Sequence, residues 1–278
     1  MRDEIVVVER EVLDHPSAIF EEWFRRHSRK LVLDLDDGVF LRYPEKFDRL
    51  VPMADLVICG NADLEAWIAP RNQRTIIIPT CVEMAEYTQK DWSAAAGRTV
   101  RIGWIGTTGN LKYIAVAAPA LRRLAENHDF EFHVIVPDSS PLKDVDLTGV
   151  KVRTVIWDKD HDVDQLREID IGVMPLFATD DWDRYKCGLK LIQYMAVGMP
   201  AVASPVGVNS TIVSHGCDGF LASNDAEWES CLRQLIENEG LRLQLGAAAR
   251  ETVQTKYSVE ANFSRYETAL RDLLREAD

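Results

Sequence analysis

Residues 186–221 read KCGLKLIQYMAVGMPAVASPVGVNSTIVSHGCDGFL and organise the second half of the chain. The stretch predicts a helix that carries Lys186 and Lys190 on one face, followed by a Gly-Met-Pro turn and a buried strand over 201–203. A loop of small residues then opens another helix. Because such a unit presents charge and backbone amides at the carboxyl edge of a parallel sheet, we expect it to bind an anion.

Strands and helices alternate on both sides of this stretch, which predicts an α/β fold with parallel sheets. Residues 100–114, VRIGWIGTTGNLKYI, predict a strand, a glycine-rich turn and a helix. Gly103, Gly106 and Gly109 would let the backbone approach a ligand, and the following helix N-terminus suits a phosphate. A tight strand-to-helix turn explains the same glycines without a ligand.

A second group of polar residues follows an apolar run near the N-terminus. Residues 31–40, LVLDLDDGVF, predict a strand whose carboxyl end delivers Asp34, Asp36 and Asp37 into a loop. Clustered carboxylates suit magnesium or manganese, and helix capping with loop solvation explains them without a metal.

The composition excludes several classes of protein. With 278 residues, 46% of them hydrophobic and 28% charged, the chain can bury one large or two small cores. A net charge of -13 argues against binding to nucleic acid through its phosphate backbone. Five scattered cysteines and an acidic N-terminus without a signal-peptide pattern predict a cytoplasmic location.

The run QYMAVGMPAVASPVGVN, followed by IVSHGCDGFL, resembles the donor-binding signature of family-four glycosyltransferases of the GT-B type. The resemblance implies two Rossmann-like domains, of which the first is incomplete. We expect a partial acceptor-side domain over 1–80, a hinge over 81–99 and a nucleotide-sugar-binding domain over 100–257. A terminal helix over 258–278 is expected to cross back to the first domain.

The resemblance implies transfer of a sugar from a nucleotide-diphosphate donor to an acceptor hydroxyl, with retention of configuration and without a metal or cofactor. It places Asp36 and Asp37 at the acceptor as candidate catalytic residues, a third explanation of these carboxylates. It places Trp157 at the nucleobase and Gln193 at the ribose. The implied donor-binding residues are Gly106, Thr107, Lys112, Trp157, Lys186, Lys190, Gln193, Val208 and Asn209.

Three departures from the family pattern leave alternatives open. Tyr185 and Gln193 stand where the family has two glutamates eight positions apart, and Thr107 replaces its usual arginine. Only about four strands are predicted before the hinge, as expected for an incomplete enzyme, a misplaced gene start, or a chain completed by a partner subunit or a second copy. A non-catalytic nucleotide-sugar-binding or scaffolding protein is the main alternative, and an isomerase acting on a nucleotide sugar is a weaker one. The acceptor, whether glycan, lipid or protein, is not indicated.

Overall fold

The structure, a computed structural model, describes residues 3–95 and 97–275. Residues 1, 2, 96 and 276–278, which belong to the predicted first domain, hinge and terminal helix, lie outside the described residues. The described chain forms two compact units. The first unit comprises residues 3–81, 180–187 and 260–275, and the second comprises 82–95, 97–179 and 188–259.

Short strands and helices alternate through both units. The strands are β1 (Asp3–Glu9), β2 (Ser28–Leu35), β3 (Leu56–Cys59), β4 (Thr75–Ile77), β5 (Val100–Ile105), β6 (Phe130–Val136), β7 (Lys151–Ile156), β8 (Ile171–Met174), β9 (Ala201–Ala203) and β10 (Phe220–Leu221). The α-helices are α1 (Ile19–His27), α2 (Pro44–Met53), α3 (Ala62–Ile68), α4 (Ile114–Ala125), α5 (Asp162–Arg167), α6 (Asp181–Arg184), α7 (Leu189–Ala196), α8 (Asn209–Ile212), α9 (Asp225–Glu237), α10 (Glu239–Thr252) and α11 (Val259–Arg275). No helix in the described ranges is long and apolar enough to cross a membrane.

The first unit contains a four-stranded parallel sheet in which β1 to β4 follow one another in chain order. Strand β2 is covered on both faces, since Leu33 packs in one apolar cluster with Phe47 of α2. On the other face, Val32 packs with Leu273 of α11. A parallel strand buried on both faces requires an apolar residue at nearly every position, which is why the run LVLDL predicted it.

The second unit contains a six-stranded parallel sheet in the order β10-β9-β8-β5-β6-β7. Successive strands run outward from β5 in one direction and from β8 in the other, so the order reverses between these two neighbours. Open α/β sheets bind ligands outside the carboxyl ends of the strands at this reversal. The parallel, Rossmann-like sheets of both units confirm the predicted fold class.

Three local predictions are wrong. The helix expected to carry both lysines begins only at Leu189, because Gly188 takes the left-handed φ of 72° and starts it there. Lys186 therefore precedes the helix, and the two lysines do not share one of its faces. Asp34 lies within β2 rather than in the loop after it. Gly103 lies within β5, where a β-carbon would come 2.2 Å from Ile169, so it serves packing and not ligand approach.

Candidate functional site

The turn after β5 in the second unit has space only for a glycine. A β-carbon on Gly106 would lie 2.4 Å from the ring of Trp104 and 2.9 Å from Cε of Lys190. The Gly106 N–H donates to the carbonyl of Ile135 at 3.1 Å, which ties the turn to β6. The backbone is therefore held at the carboxyl end of β5, beside the reversal in strand order, with a lysine side chain against it.

Helix α7 supplies this lysine from its first turn. Gly188, at its N-cap, has no side chain and therefore caps none of the first N–H groups of the helix. These N–H groups and the helix dipole favour a negative charge, and Lys190 adds a cation. The close approach of Lys190 to Gly106 is thus an arrangement whose charge suits an anion such as a phosphate.

The loop after β9 packs directly against the start of α7. A β-carbon on Gly188 would lie 2.9 Å from Val208 and 3.7 Å from Oδ1 of Asn209. Asn209 is 1% exposed, and its Nδ2 donates to the Ser204 carbonyl at 3.1 Å. Its Oδ1 has no hydrogen-bond partner within residues 3–95 and 97–275. Because buried polar atoms are nearly always paired, this oxygen is suited to accept a hydrogen bond from a ligand hydroxyl.

The other residues predicted to bind the donor are more dispersed. Thr107 and Lys112 are exposed in the glycine-rich loop, with Nζ of Lys112 5.1 Å from the Tyr113 ring centroid. Gln193 donates from Nε2 to the hydroxyl of Tyr87 at 3.0 Å. Trp157 is 36% exposed and follows β7 at the edge of the sheet, two strands from β5.

Lys186 belongs to the first unit, as part of residues 180–187. Its Nζ lies 3.0 Å from Oδ1 of Asp183, whose carboxylate is fully buried. Tyr185 packs edge-on against Phe40, at 4.9 Å between ring centroids. Tyr185, one of the two replacements for family glutamates, is therefore part of the apolar packing of the first unit.

Asp36 and Asp37 follow β2 at the carboxyl edge of the first sheet and meet Arg10, which follows β1. Nε and Nη2 of Arg10 donate to the two carboxylate oxygens of Asp36, each at 2.5 Å. Oδ1 of Asp37 accepts from the backbone N–H of Cys187 at 3.0 Å. Asp36, Asp37 and Cys187 each offer one atom that could bind a metal, and these three atoms lie within 4.8 Å of one another. Both Asp36 oxygens are nevertheless occupied by a guanidinium, so the arrangement is an ion-pair network.

Two carboxylates at this edge, Asp34 and Asp37, have elevated pKa values. Burial, with the neighbouring charges of Asp36 and Glu9, raises the pKa of Asp34 to about 6. Burial and the charge of Asp36 also raise the pKa of Asp37, while Arg10 and the Cys187 N–H act in the opposite direction. Neutral and ionised forms of Asp34 are thus both accessible near neutral pH.

Sequence reasoning missed Arg10, Cys187 and Tyr87. Arg10 carried one usable signal, since it follows a predicted strand just as Asp36 does. Parallel neighbours place such residues at the same edge, where opposite charges can pair. Cys187 and Tyr87 carried no such signal. The pairing of Cys187 with Asp37 depends on the path of residues 180–187, and Tyr87 meets Gln193 from a position 106 residues earlier in the chain.

A protein-family model matches most of the second unit. The family model of Glycosyl transferases group 1 matches residues 99–238, half of the chain. This chain belongs to the group 1 glycosyl transferases. The matched range contains the Gly106 turn, α7 and the loop that carries Asn209.

Two curated relatives resemble segments of this group 1 glycosyl transferase. N-acetyl-alpha-D-glucosaminyl L-malate synthase of Bacillus anthracis is 33% identical over 91 residues, 32% of this chain and 24% of that protein. D-inositol 3-phosphate glycosyltransferase of Nocardioides sp. is 36% identical over 66 residues, 23% of this chain and 14% of that protein. The matches thus span a quarter or less of the length of either relative.

Solved structures resemble this glycosyl transferase over nearly its whole length. Sucrose-phosphate synthase from Thermosynechococcus elongatus is 16% identical with a TM-score of 0.74, covering 98% of this chain and 74% of that one. Anabaena HepE in complex with UDP is 15% identical with a TM-score of 0.65, covering 90% of this chain and 74% of that one. At these identities the likeness shows the fold.

Proposed function

We propose that this protein transfers a sugar from a nucleoside-diphosphate donor to an acceptor hydroxyl, with retention of configuration. One observation carries the proposal: Lys190 lies against the Gly106 turn at the uncapped start of α7, where the sheet order reverses. Two sources of positive potential, a lysine and a helix N-terminus, converge there. A diphosphate carries the charge and the oxygen acceptors that such a site requires.

The reaction gives this site its catalytic task. When the sugar leaves, negative charge develops on the diphosphate, so groups that stabilise that charge lower the barrier. Lys190 and the first N–H groups of α7 are fixed before the reaction and need no reorganisation. Lys112, which is exposed after the glycine-rich turn that follows β5, adds a second cation. Lys186 is assigned no phosphate contact, since the buried Asp183 carboxylate engages it.

The remaining substrate contacts are assigned to the other residues that the sequence singled out. The unpaired Oδ1 of Asn209 accepts a hydrogen bond from a sugar hydroxyl, with Val208 packed beside it. Gln193, already bonded to Tyr87, contacts the ribose through its remaining amide groups. Trp157, exposed at the end of β7, stacks on the base. Asp36 and Asp37 of the first unit bind the acceptor hydroxyl.

The donor we propose is a UDP-sugar, because the HepE structure that shares this fold contains UDP. Isothermal titration with UDP, GDP and ADP tests this choice directly. Turnover is measured as UDP release from UDP-glucose and UDP-N-acetylglucosamine, with water, L-malate and D-inositol 3-phosphate as acceptors. The last two compounds come from the names of the curated relatives.

The outcomes separate the proposals. We expect UDP to bind and at least one donor to be consumed, with proton NMR showing that the product keeps the anomeric configuration of the donor. Binding without turnover across a wide acceptor panel would instead favour the non-catalytic nucleotide-sugar-binding alternative. An inverted product would refute retention while leaving transfer intact, and failure to bind any nucleotide would refute the whole proposal.

A further inference from the structure

Strand β7 lies at one end of the second sheet, and its outer edge is open. Among the described residues it pairs with β6 only, and its side chains are exposed at every position except the half-buried Val155. Ile156 is 77% exposed, the largest exposed fraction of any large apolar side chain that the structure describes. An open edge with exposed apolar side chains is a surface to which another strand can add.

The hydrogen bonds to β6 fix which backbone groups point outward. The Trp157 N–H donates to the Val136 carbonyl at 3.1 Å, in continuation of the parallel pairing of β7 with β6. The direction of the N–H and C=O groups alternates along a strand. Val152, Thr154 and Ile156 therefore direct their backbone groups away from β6, to the open edge.

Gln165 of α5 closes this edge at its carboxyl end. Its Nε2 donates to the Ile156 carbonyl at 2.7 Å, and its Oε1 accepts from the Asp158 N–H at 3.3 Å. A carbonyl oxygen has two lone pairs, so the Ile156 carbonyl can also accept from a partner strand. The open stretch thus runs from Val152 to Ile156, with Thr154 at its centre.

An antiparallel copy of β7 fits this stretch when Thr154 lies opposite Thr154 of the second copy. Outward backbone groups then meet outward groups, with hydrogen-bonded pairs at Thr154 and between Val152 and Ile156. On one face, Thr154 meets Thr154 and Val152 meets Ile156, pairs that stabilise antiparallel strands. On the other face, Arg153 meets Val155, so no like charges lie directly opposite each other.

Charge favours this self-pairing at β7 and opposes it at β1. Lys151 and Arg153 are basic and lie at the start of β7, whereas the acidic Asp158 follows its end. Antiparallel pairing brings Lys151 of one copy beside Asp158 of the other. These side chains are 67% and 52% exposed, although both make exposed contacts within the chain. Self-pairing over the whole of β1 would instead place Asp3 opposite Glu9, which is destabilising.

We propose that this chain forms a symmetric dimer in which β7 of two copies pairs in antiparallel fashion about Thr154. The same surface serves both copies, so the contact closes on itself. It covers Ile156 and joins the two six-stranded sheets edge to edge. Trp157, which is assigned above to the base, follows the last hydrogen-bonded pair. The dimer uses neither Lys190 nor Asn209, and it is independent of the proposed glycosyltransferase function.

Sedimentation velocity on the full chain from about 1 to 100 µM measures the dimer, which we expect in the wild type. Thr154→Pro removes the central outward N–H, and an edge strand tolerates proline where the N–H faces away from the sheet. Ile156→Lys places a charge against Val152. Each should raise the dissociation constant about tenfold or more, with the fold retained by circular dichroism. Leu243→Lys, at a side chain 40% exposed on α10 of the same unit, is the control and should leave the dimer unchanged.

Cysteine variants test the register. In a hydrogen-bonded pair the two Cα atoms are about 5.5 Å apart, within the range of a disulfide, so mild oxidation should link two copies of Thr154→Cys. Ile156→Cys is the matched control, because its two copies would be about 13 Å apart along the strands. It should link no more than the wild type, whose Cys217 is exposed.

A wild type that stays monomeric at about 100 µM would overturn the inference. So would a dimer that folded Thr154→Pro and Ile156→Lys leave unchanged, because another surface would then hold it. If Thr154→Pro does not fold, Ile156→Lys decides, and an equal loss of dimer in Leu243→Lys would attribute the effect to surface charge alone. Equal linking of both cysteine variants would refute the pairing about Thr154.

Discussion

Lys190 and Gly106 are in contact across the carboxyl edge of the second sheet, so closely that a β-carbon on Gly106 would fall 2.9 Å from Cε of the lysine. The glycine leaves space for the lysine stem, and the lysine brings its charge to the turn. Neither residue alone indicates an anion site, because glycine turns and surface lysines are common. Their contact beside an uncapped helix start supports one.

Replacing Gly106 tests this contact directly. In Gly106→Ala the new methyl must displace both the Trp104 ring and the end of the Lys190 side chain, so UDP should bind at least about tenfold more weakly. The overpacking should also cost about 1 to 3 kcal/mol of unfolding free energy. Gly109→Ala is a matched control from the same loop, since its β-carbon would meet nothing within 4 Å. Equal UDP affinity in both variants by calorimetry would place the anion elsewhere.

Removing the lysine charge tests its share of the binding free energy. Lys190→Met keeps most of the apolar stem but loses a charge-assisted hydrogen bond, so UDP affinity should fall by about 1 to 3 kcal/mol with the fold retained. Lys151→Met serves as the control. Lys151 begins β7, so it lies at the amino ends of the strands, opposite to the carboxyl edge, and it pairs with Asp129 at 2.5 Å. If a folded Lys190→Met binds UDP as tightly as the control does, Lys190 is not a phosphate ligand.

UDP binding should not require a divalent metal. Lys190 and the start of α7 can neutralise the diphosphate, and Arg10 occupies both oxygens of Asp36 in the acidic cluster. Calorimetry in about 5 mM EDTA, which is in large excess over trace metal, should give the same UDP affinity as calorimetry with magnesium or manganese present. Loss of UDP binding in chelator, with recovery on adding manganese, would contradict this expectation.

Asp34 should make stability depend on pH. Its pKa of about 6 is higher than in an unfolded chain, so the folded state binds the extra proton and stability falls as pH rises from about 4 to 6. Asp34→Asn removes this effect. Allowing for partial exposure, we expect it to raise the unfolding free energy by about 1 to 2 kcal/mol at pH 8 and by little at pH 4.

Urea titrations at the two pH values measure this difference. Glu45→Gln is the control, because Glu45 is exposed at the start of α2 in the same unit. Its effect on stability should be small at both pH values. A gain for Asp34→Asn that is the same at pH 4 and pH 8 would show that the ionisation of Asp34 does not cause it.

Much of the fold could be predicted because its signals are local. The strand over 201–203 was predicted with the bounds observed, and the terminal helix predicted over 258–278 is α11, Val259–Arg275. Asn61 caps α3, where its side chain accepts from the Leu64 N–H at 2.9 Å. Apolar periodicity, caps and turn residues act within a few positions, so a single chain segment contains the whole signal.

The site was less predictable because its contacts join distant positions. The amino-acid sequence determined the alternating α/β order, the run LVLDL and the group 1 signature after Lys186. Only the tertiary structure decided that Lys186 is engaged by Asp183, that Lys190 meets Gly106, and that Arg10 holds Asp36. The physical reason is that the left-handed turn at Gly188 and the parallel pairing of β1 with β2 set these distances, and no local pattern encodes them.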